Sequence, residues 1–495
     1  MQSRQPDQLQ APALSRLTLF ALLYAWANIL HQLSYPEWVK APHLIGWLLF
    51  FSSAALALWP NSIKLFLSTL ILRVAFTLDW MPMIREHLFL EGLFSVGILI
   101  ALFHRPRDLR RDRWSDPDQQ EEIFESFAPF LRATTLIVYA AVTICKLNSE
   151  FLDPLKSESA NLLIWTAQSF PFIPTANWAR EASIWATLLF EGGIPILLLF
   201  RKTRWLGVLV GIIFHSMLGF LPLKIWSFTS MMILLLFTWL PPRSAGAIGS
   251  TFHRLCQATK LSPFAIAIAF YAVAGTSGLA YAARNGLNWD MQTVDLGIVI
   301  WWWQSLAILA ALWAVHGLTP QRTATLFQPR LRALQLYTLV IVLNCLCPYI
   351  GLKNRLALNM HSNLRTADGY WNHLFLPESM RVFTFQDRLV TITSSDSPDF
   401  DAVSKQGMPM PVFEFRRWCR GIASDFYVDY LDPEGTPRRF TKSGGQGSDP
   451  ELMVAHPLLE KILCFNPIGA NYDYLPEEIP HVGPSRNRVP RFDIE

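Results

Sequence analysis

The sequence contains few charged residues. Asp, Glu, Lys and Arg make up 16% of its 495 residues, whereas hydrophobic residues make up 52%, and the mean hydropathy is +0.26. Soluble globular proteins usually carry about 25% charged residues. The scarcity of charge excludes an ordinary soluble protein and indicates a chain that is largely surrounded by lipid.

Several functional motifs are also missing. The six cysteines show neither paired CxxC motifs nor Cys/His ligand spacing, which argues against a zinc or iron–sulfur site. The net charge of +4 comes from Lys and Arg in short loops rather than along one face, so no nucleic-acid partner is expected. The polar start MQSRQPDQLQAPALSR lacks the apolar pattern of a cleavable signal peptide, so none is expected there. Cys419 and Cys464 could form a disulfide if their domain faces an oxidising compartment.

Long apolar blocks are abundant instead. About 20 helical residues cross the hydrocarbon core of a bilayer, which is roughly 30 Å thick. Blocks of this kind predict an all-α polytopic membrane bundle with about nine to eleven transmembrane helices. The predicted spans are 14–33, 43–59, 62–78, 88–104, 127–146, 183–200, 204–220, 226–240, 262–282, 294–315 and 334–351.

The loops between these blocks alternate between rich and poor in Lys and Arg. Because positively charged loops tend to stay in the cytoplasm, the N-terminus is expected there, and the segment after the last span is expected outside. That segment is polar and contains alternating runs such as RVFTFQDRLVTIT (381–393) and SDFYVDYL (424–431), which are typical of strands. We therefore predict a transmembrane domain over 1–354 and a small, mostly β extramembrane domain over 355–495.

Four ionisable residues fall inside predicted spans, where a charge costs at least about 2.5–3.5 kcal/mol near a helix centre. Arg73 is expected to pair with a carboxylate that fastens two helices, and His215 is either a core histidine or a functional one. Glu191 precedes Gly-Gly-Ile-Pro, which suits either a packing kink or a cavity wall. Lys146 ends its span; spacing alone favours a lysine that reaches to the membrane surface, although a buried lysine amine can also act as a general base.

Three stretches carry a family resemblance. LRATTLIVYAAVTICKLNSEF (131–151) resembles, without a gap, the segment of vitamin K-dependent gamma-carboxylase that holds its catalytic lysine. LLFEGGIPILLLFRKTRWLG (188–207) and FHSMLGFLPLKIWSFTSMM (214–232) resemble two further segments of that family, in the same order. The chain is similar more loosely to horizontally transferred transmembrane (HTTM) domain proteins, and NMHSNLRTADGYWNHLFLP (359–377) resembles the tail of the bacterial members.

The resemblance implies a site and a chemistry. Lys146 stands where the carboxylase has the lysine that is thought to deprotonate reduced vitamin K, whose reaction with oxygen yields the base that activates a glutamate for carboxylation. His87, in REHLFLEGLF, has a position similar to a histidine of that family. Cys145 replaces the first of two adjacent lysines, and the region after 355 is much shorter than in the eukaryotic enzyme.

We therefore predict an enzyme of the carbon–carbon lyase or quinol epoxidase type near the outer leaflet, with membrane lipid and a reduced, vitamin K-like quinone as its expected partners. The predicted catalytic residues are Lys146 and His87. Glu191 and His215, together with Arg132 and Arg73, are expected to line the substrate cavity. The alternatives are a non-catalytic membrane scaffold and a transporter with Glu191, Arg73 and His215 along a polar path. No inverted repeat of the transporter type is visible in the sequence.

Overall fold

The computed structural model describes residues 14–35, 38, 43–105, 116–169, 172–219, 225–262, parts of 265–280, 289–315, 326–367 and 369–468. These residues form fifteen α-helices and one five-stranded antiparallel sheet. The helices before residue 350 are α1 Arg16–Ser34, α2 Leu44–Leu58, α3 Ile63–Trp80, α4 Glu86–Phe103, α5 Pro117–Cys145, α6 Glu158–Ser169, α7 Asn177–Leu199, α8 Arg204–Gly219, α9 Ile225–Phe237, α10 Ser244–Thr259, α11 Trp289–Val315 and α12 Arg332–Leu346.

The helix starts follow ordinary capping chemistry. The side chains of Ser15, Ser62 and Asp116 each accept a hydrogen bond from a backbone N–H in the first turn of α1, α3 and α5. Among the residues that the structure describes, four helices, α1, α4, α5 and α7, are long and apolar enough to cross a membrane. Helix α3 is as long as α4 but carries three charged residues, Lys64, Arg73 and Asp79.

Aromatic side chains from α1, α3 and α5 form the centre of the helical bundle. Phe20 contacts Phe66, Phe124 and Phe127 with ring centroids 5.3–6.2 Å apart, and Tyr24 contacts Phe66 at 5.9 Å. All five residues are fully buried or nearly so. Aromatic contacts of this kind stabilise more than buried area alone, so they help to hold α1, α3 and α5 together.

Most predicted spans coincide with helices, and three differences are informative. Helix α5 begins at Pro117, ten residues before the predicted span, because its first turns are amphipathic. Helices α6 and α10 were not predicted, since α6 is short and α10 carries polar residues along its length. The predicted span 262–282 lies largely outside the described residues.

The C-terminal unit is a mixed structure rather than a mostly β one. Its strands are β1 Leu389–Ser395, β2 Met410–Pro411, β3 Phe426–Leu431, β4 Pro437–Ser443 and β5 Gln446–Gly447, in the order β2-β1-β3-β4-β5. The helices α13 Pro398–Lys405, α14 Val412–Gly421 and α15 Pro457–Ile462 accompany them. The predicted strands were right at 389–393 and 426–431 and wrong at 381–387, where the chain forms turns and loop instead.

The suggested disulfide is absent. Cys419 and Cys464 are both free and buried, and they belong to separate hydrophobic clusters. Burial raises the pKa of Cys464 to about 11 and raises that of Cys419 further, which keeps both thiols protonated. The Cys464 thiol contacts the carbonyl of Arg355 at 3.2 Å instead.

Residues 356–363 pack onto the helices. Leu356, Ala357 and Leu358 are fully buried, and the Glu86 carboxylate at the start of α4 accepts the N–H groups of Ala357 and Asn359 at 3.4 and 3.1 Å. This segment therefore forms part of the surroundings of α4 and α5. The division at 354/355 stays a prediction.

Candidate active site

Asn148 makes several of the hydrogen bonds that hold the turn after α5. The Asn148 amide donates to the carbonyls of Cys145 and Ser362, at 2.8 and 2.6 Å, while its carbonyl oxygen accepts the N–H groups of Glu150 and Phe151. Helix C-termini leave carbonyls without intrahelical partners, and Asn148 satisfies one of them while tying the turn to residues 356–363. Lys146 lies inside this turn, between Cys145 and Asn148.

Lys146 points into the protein. Its exposed fraction is 3%, and its Nζ lies 2.7 Å from Glu191 Oε2. The carbonyl of Met360 lies 3.4 Å from the same Nζ, and the ring of Phe151 is 5.7 Å away. The interpretation as a lysine that reaches to the membrane surface was wrong, because Glu191 and Met360 offer partners inside the protein.

Glu191 reaches Lys146 because α7 approaches α5 closely. A Cβ at Gly192 would lie 3.4 Å from the Thr143 side chain of α5, which is an ordinary van der Waals distance, so the two helices are in contact here. Pro195 lies inside α7 and has no N–H to donate to the carbonyl of Glu191 one turn earlier. Of the two alternatives raised above, the cavity wall is the one that Glu191 itself forms.

His215 is paired with a tyrosine. Its Nε2 lies 2.7 Å from the Tyr139 hydroxyl, and the rings of Phe214 and Phe228 flank it with centroids 5.1 and 5.7 Å away. Tyr139 lies two helical turns before Lys146, on the same face of α5. The Tyr139–His215 pair and the Lys146–Glu191 pair therefore face the same space beside α5.

That space is a cavity of about 70 Å³. Lys146, Glu191 and His215 all line it, so the structure brings together the three residues that the sequence placed on a common cavity. The remaining wall is mostly apolar, with Val138, Val142, Phe151, Leu162, Phe214, Leu218, Phe228, Met232 and Met360, and the other polar groups are Tyr139, Ser159, Thr187 and His361.

Arg73 does not line this cavity. It is fully buried between helices and pairs with Glu91 of α4 at 2.5 Å, and Glu91 also pairs with His31 of α1. Arg73 therefore fastens helices, as the preferred interpretation held, and the expectation that it lines the substrate cavity was wrong.

Arg132 lies in the middle of α5. It precedes Lys146 by fourteen positions, which is roughly 21 Å along a helix. Its guanidinium binds Glu125 at 2.8 Å and donates to the carbonyls of Thr238 and Leu326. The expectation that Arg132 lines the cavity was wrong, because this distance along α5 keeps it away from the cavity of Lys146.

His87 lies behind the cavity wall. Its ring is 6.2 Å from that of Phe228, which lines the cavity, and 5.4 Å from that of His31. The Ser227 hydroxyl lies 3.3 Å from its Nε2. His87 is therefore a neighbour of the cavity lining rather than a member of it, and its catalytic role stays a prediction.

Sequence reasoning missed Tyr139 and His361. The seven-residue spacing from Tyr139 to Lys146 was a usable signal, because it corresponds to two helical turns. No comparable signal marked His361, which reaches the cavity from an irregular segment that is more than 200 residues away along the chain.

Comparison with known protein families identifies a domain within the helical bundle. A family model described as the HTTM domain matches residues 63–240, which include α3–α5 and α7–α9 and hence Lys146, Glu191 and His215. The chain carries an HTTM domain. That domain is found in vitamin K-dependent gamma-carboxylase-like proteins. No curated protein and no solved structure matches the chain. The HTTM domain and the apolar helices together indicate a membrane protein.

Proposed function

We propose that this chain is an integral membrane enzyme that uses Lys146 as a base on a lipid-soluble substrate, with a reduced quinone as the leading candidate. The observation that supports this most is the buried pair of Lys146 and Glu191 on the wall of a mostly apolar cavity. Ionisable groups inside a membrane protein are rare and usually functional.

Another buried ion pair shows what a structural pair looks like here. Arg73 and Glu91 are both fully enclosed, and neither lines the cavity of Lys146 and Glu191. Lys146 and Glu191 have a similar contact distance but face open space, and the Glu191 side chain keeps 14% of its surface exposed. The contrast favours chemistry at the pair that faces the cavity.

The walls suit an aromatic head group with a hydrocarbon tail. Val138, Phe214 and Phe228 supply apolar surface, while Tyr139 and His215 supply a polar group near it. A closed apolar cavity that binds benzene has a volume of about 150 Å³, so at about 70 Å³ this cavity holds only part of a ring-sized head group unless its walls move apart. Only 17% of the apolar stretch of α7 is buried, so a tail would extend past α7 into lipid.

The proposed step is a single proton transfer. When Lys146 is a neutral amine, its lone pair takes the hydroxyl proton of the quinol; the O–H bond breaks and an N–H bond forms. The quinolate oxygen then carries a negative charge next to the new ammonium group, and Glu191 keeps that nitrogen in place. Carboxylation of a further substrate follows from the resemblance alone and is left outside this proposal.

The test is consumption of reduced quinone with oxygen in membranes that contain the protein. Lys146→Ala is expected to abolish turnover, because general bases contribute about 10²–10⁴-fold. A small primary amine added to that variant is expected to restore some activity, more at higher pH as its free-base fraction rises. Lys156→Ala, at an exposed lysine ten residues later, is the matched control and should retain activity.

Full turnover in Lys146→Ala would contradict the base assignment. Binding of quinone without turnover in the wild-type protein would instead favour the scaffold, and movement of a solute across the membrane would favour the transporter.

A further inference from the structure

Residues 356–363 have an unusual backbone. Leu356, Leu358, His361 and Asn363 all have positive φ, between 49° and 59°. This left-handed region is unfavourable for residues other than glycine, and each such residue costs about 1–3 kcal/mol unless its surroundings impose it. Strain of this kind concentrates at functional sites.

Hydrogen bonds from neighbouring elements hold residues 356–363 in this backbone conformation. Asn344 donates to the carbonyl of Leu356 at 2.9 Å, and Asn148 donates to that of Ser362 at 2.6 Å. Glu86 accepts two N–H groups from the same segment. The anchors come from α12, from the turn after α5 and from α4, so three parts of the fold hold this segment against the cavity.

His361 lies in this strained segment and lines two cavities. One is the cavity of Lys146 and Glu191, and the other is a polar vestibule of about 40 Å³ whose wall includes Glu150, Glu158 and Arg365. Since one water needs about 10–15 Å³, the vestibule is of a size for a few waters rather than for a second organic substrate. His361 is the titratable side chain shared by the two linings.

The groups around His361 suit proton transfer. Its Nδ1 lies 3.4 Å from Oε1 of the buried Glu158, and the carbonyl of the preceding Met360 contacts Lys146 Nζ. Glu150 pairs with Arg365 at 2.8 Å across the vestibule, and His87 is a further titratable neighbour. A histidine between an ion pair and water can carry protons in either direction near neutral pH.

We propose that His361 is the proton relay between the Lys146–Glu191 pair and the vestibule, with Glu158 as a positioning residue that orients its ring. This inference rests on the proposed function and extends it. Lys146 within an ion pair holds a proton as ammonium and has no lone pair, so that proton must leave before the amine can act as a base.

The relay accounts for every proton. The ammonium of Lys146 gives one proton to a ring nitrogen of His361, which releases one to vestibule water. After the amine has taken the hydroxyl proton of the substrate, Lys146 is again an ammonium, and the same release resets it. Each turnover moves one proton from substrate to solvent, and no oxidant is needed for this step.

The first test is chemical rescue. His361→Gln keeps a polar side chain but cannot titrate, and it is expected to lower kcat tenfold or more with little change in KM, since acid–base groups contribute about 10²–10⁴-fold. Imidazole in the buffer is expected to restore part of that kcat, and a structural role would not respond to it. His456→Gln, at an exposed histidine, is the control. Wild-type kcat in His361→Gln, or a loss that imidazole does not relieve, would overturn the relay.

The second test is independent of turnover. The infrared band of the Glu191 carboxyl group is identified by its loss in Glu191→Gln. After a pH jump, this band is expected to change at least tenfold more slowly in His361→Gln than in the wild type or in His456→Gln. Equal rates, or no pH-dependent band, would overturn the relay. If the band changes more slowly in His361→Gln than in the wild type, but the wild-type protein never consumes quinol, the proposed function fails and the relay stands.

Discussion

At the scale of single residues, surroundings rather than pairing distinguish the Lys146–Glu191 pair from the Arg73–Glu91 pair. Lys146–Glu191 and Arg73–Glu91 have contacts of 2.7 and 2.5 Å, and three of the four side chains are almost fully buried. Moving two charges out of water is expensive, and their attraction repays this cost only when geometry and further hydrogen bonds are good. A pair beside a cavity therefore has a functional explanation that an enclosed pair does not require.

Removing one member of the catalytic pair is expected to harm stability more than removing both. Glu191→Leu leaves a buried ammonium without its carboxylate, a change that costs about 3–5 kcal/mol in buried sites and less here because Glu191 is partly exposed. The double variant Lys146→Met with Glu191→Leu should recover most of this loss. Thermal unfolding in detergent measures both, and neither variant should consume quinol. Equal stability of the single and double variants would contradict the coupling.

At the scale of helices, Glu91 joins three elements. It lies on α4 and pairs with Arg73 of α3 and His31 of α1, while His31 also contacts the carbonyl of Ser227 in α9 at 2.7 Å. All of these partners are buried. The network therefore sets how α1, α3, α4 and α9 pack next to the cavity.

Glu91→Leu is expected to destabilise the bundle by about 3–5 kcal/mol, because Arg73 would remain as an uncompensated buried charge. Turnover per folded molecule should change little, since Glu91 does not line the catalytic cavity. Heating followed by size-exclusion chromatography measures the folded fraction. Glu122→Gln, in a largely exposed pair with Arg105, is the control and should cost no more than about 1 kcal/mol. An unchanged folded fraction in Glu91→Leu would refute the fastening role.

At the scale of the whole molecule, the site and the C-terminal unit share one end of the bundle. The turn after α5 contacts the segment before the sheet through Asn148 and Ser362, and Asn363 contacts the carbonyl of Lys156. Asn466 and Ile468, which follow the C-terminal helix α15, line the vestibule. Whichever side of a membrane holds the C-terminal unit therefore also holds the end of α5 that carries Lys146.

Reporter fusions are expected to show this arrangement. The loop RPRDLRRDR (105–113) predicts a cytoplasmic reporter after Asp112, and the alternating loop charges predict an outside reporter after Glu495. A reporter inserted after Lys156 should agree with the C-terminal one, because the structure joins those regions. Reporters after Asp112 and Glu495 on the same side would contradict the predicted topology.

The sequence by itself determined the helical bundle, because a hydrocarbon environment demands long apolar helices whose length and composition are visible without any fold. The helical segments that carry Lys146, Glu191 and His215 could be located in the same way. Arg73 could be assigned a structural role, since a lone charge in an apolar helix needs a partner. Each of these features depends on the composition of one helix or on one charged residue, so it is visible in the sequence without knowledge of the fold.

Only the tertiary structure decided which way the side chains point and which distant segments meet. Lys146 turns inward because Glu191 is within reach, and that depends on the packing of α7 against α5. Arg132 is excluded by its distance along α5, and His361 is included because anchors from three elements impose a left-handed backbone on its segment. Contacts between residues more than 200 positions apart leave no periodic trace in a sequence, and packing alone brings them together.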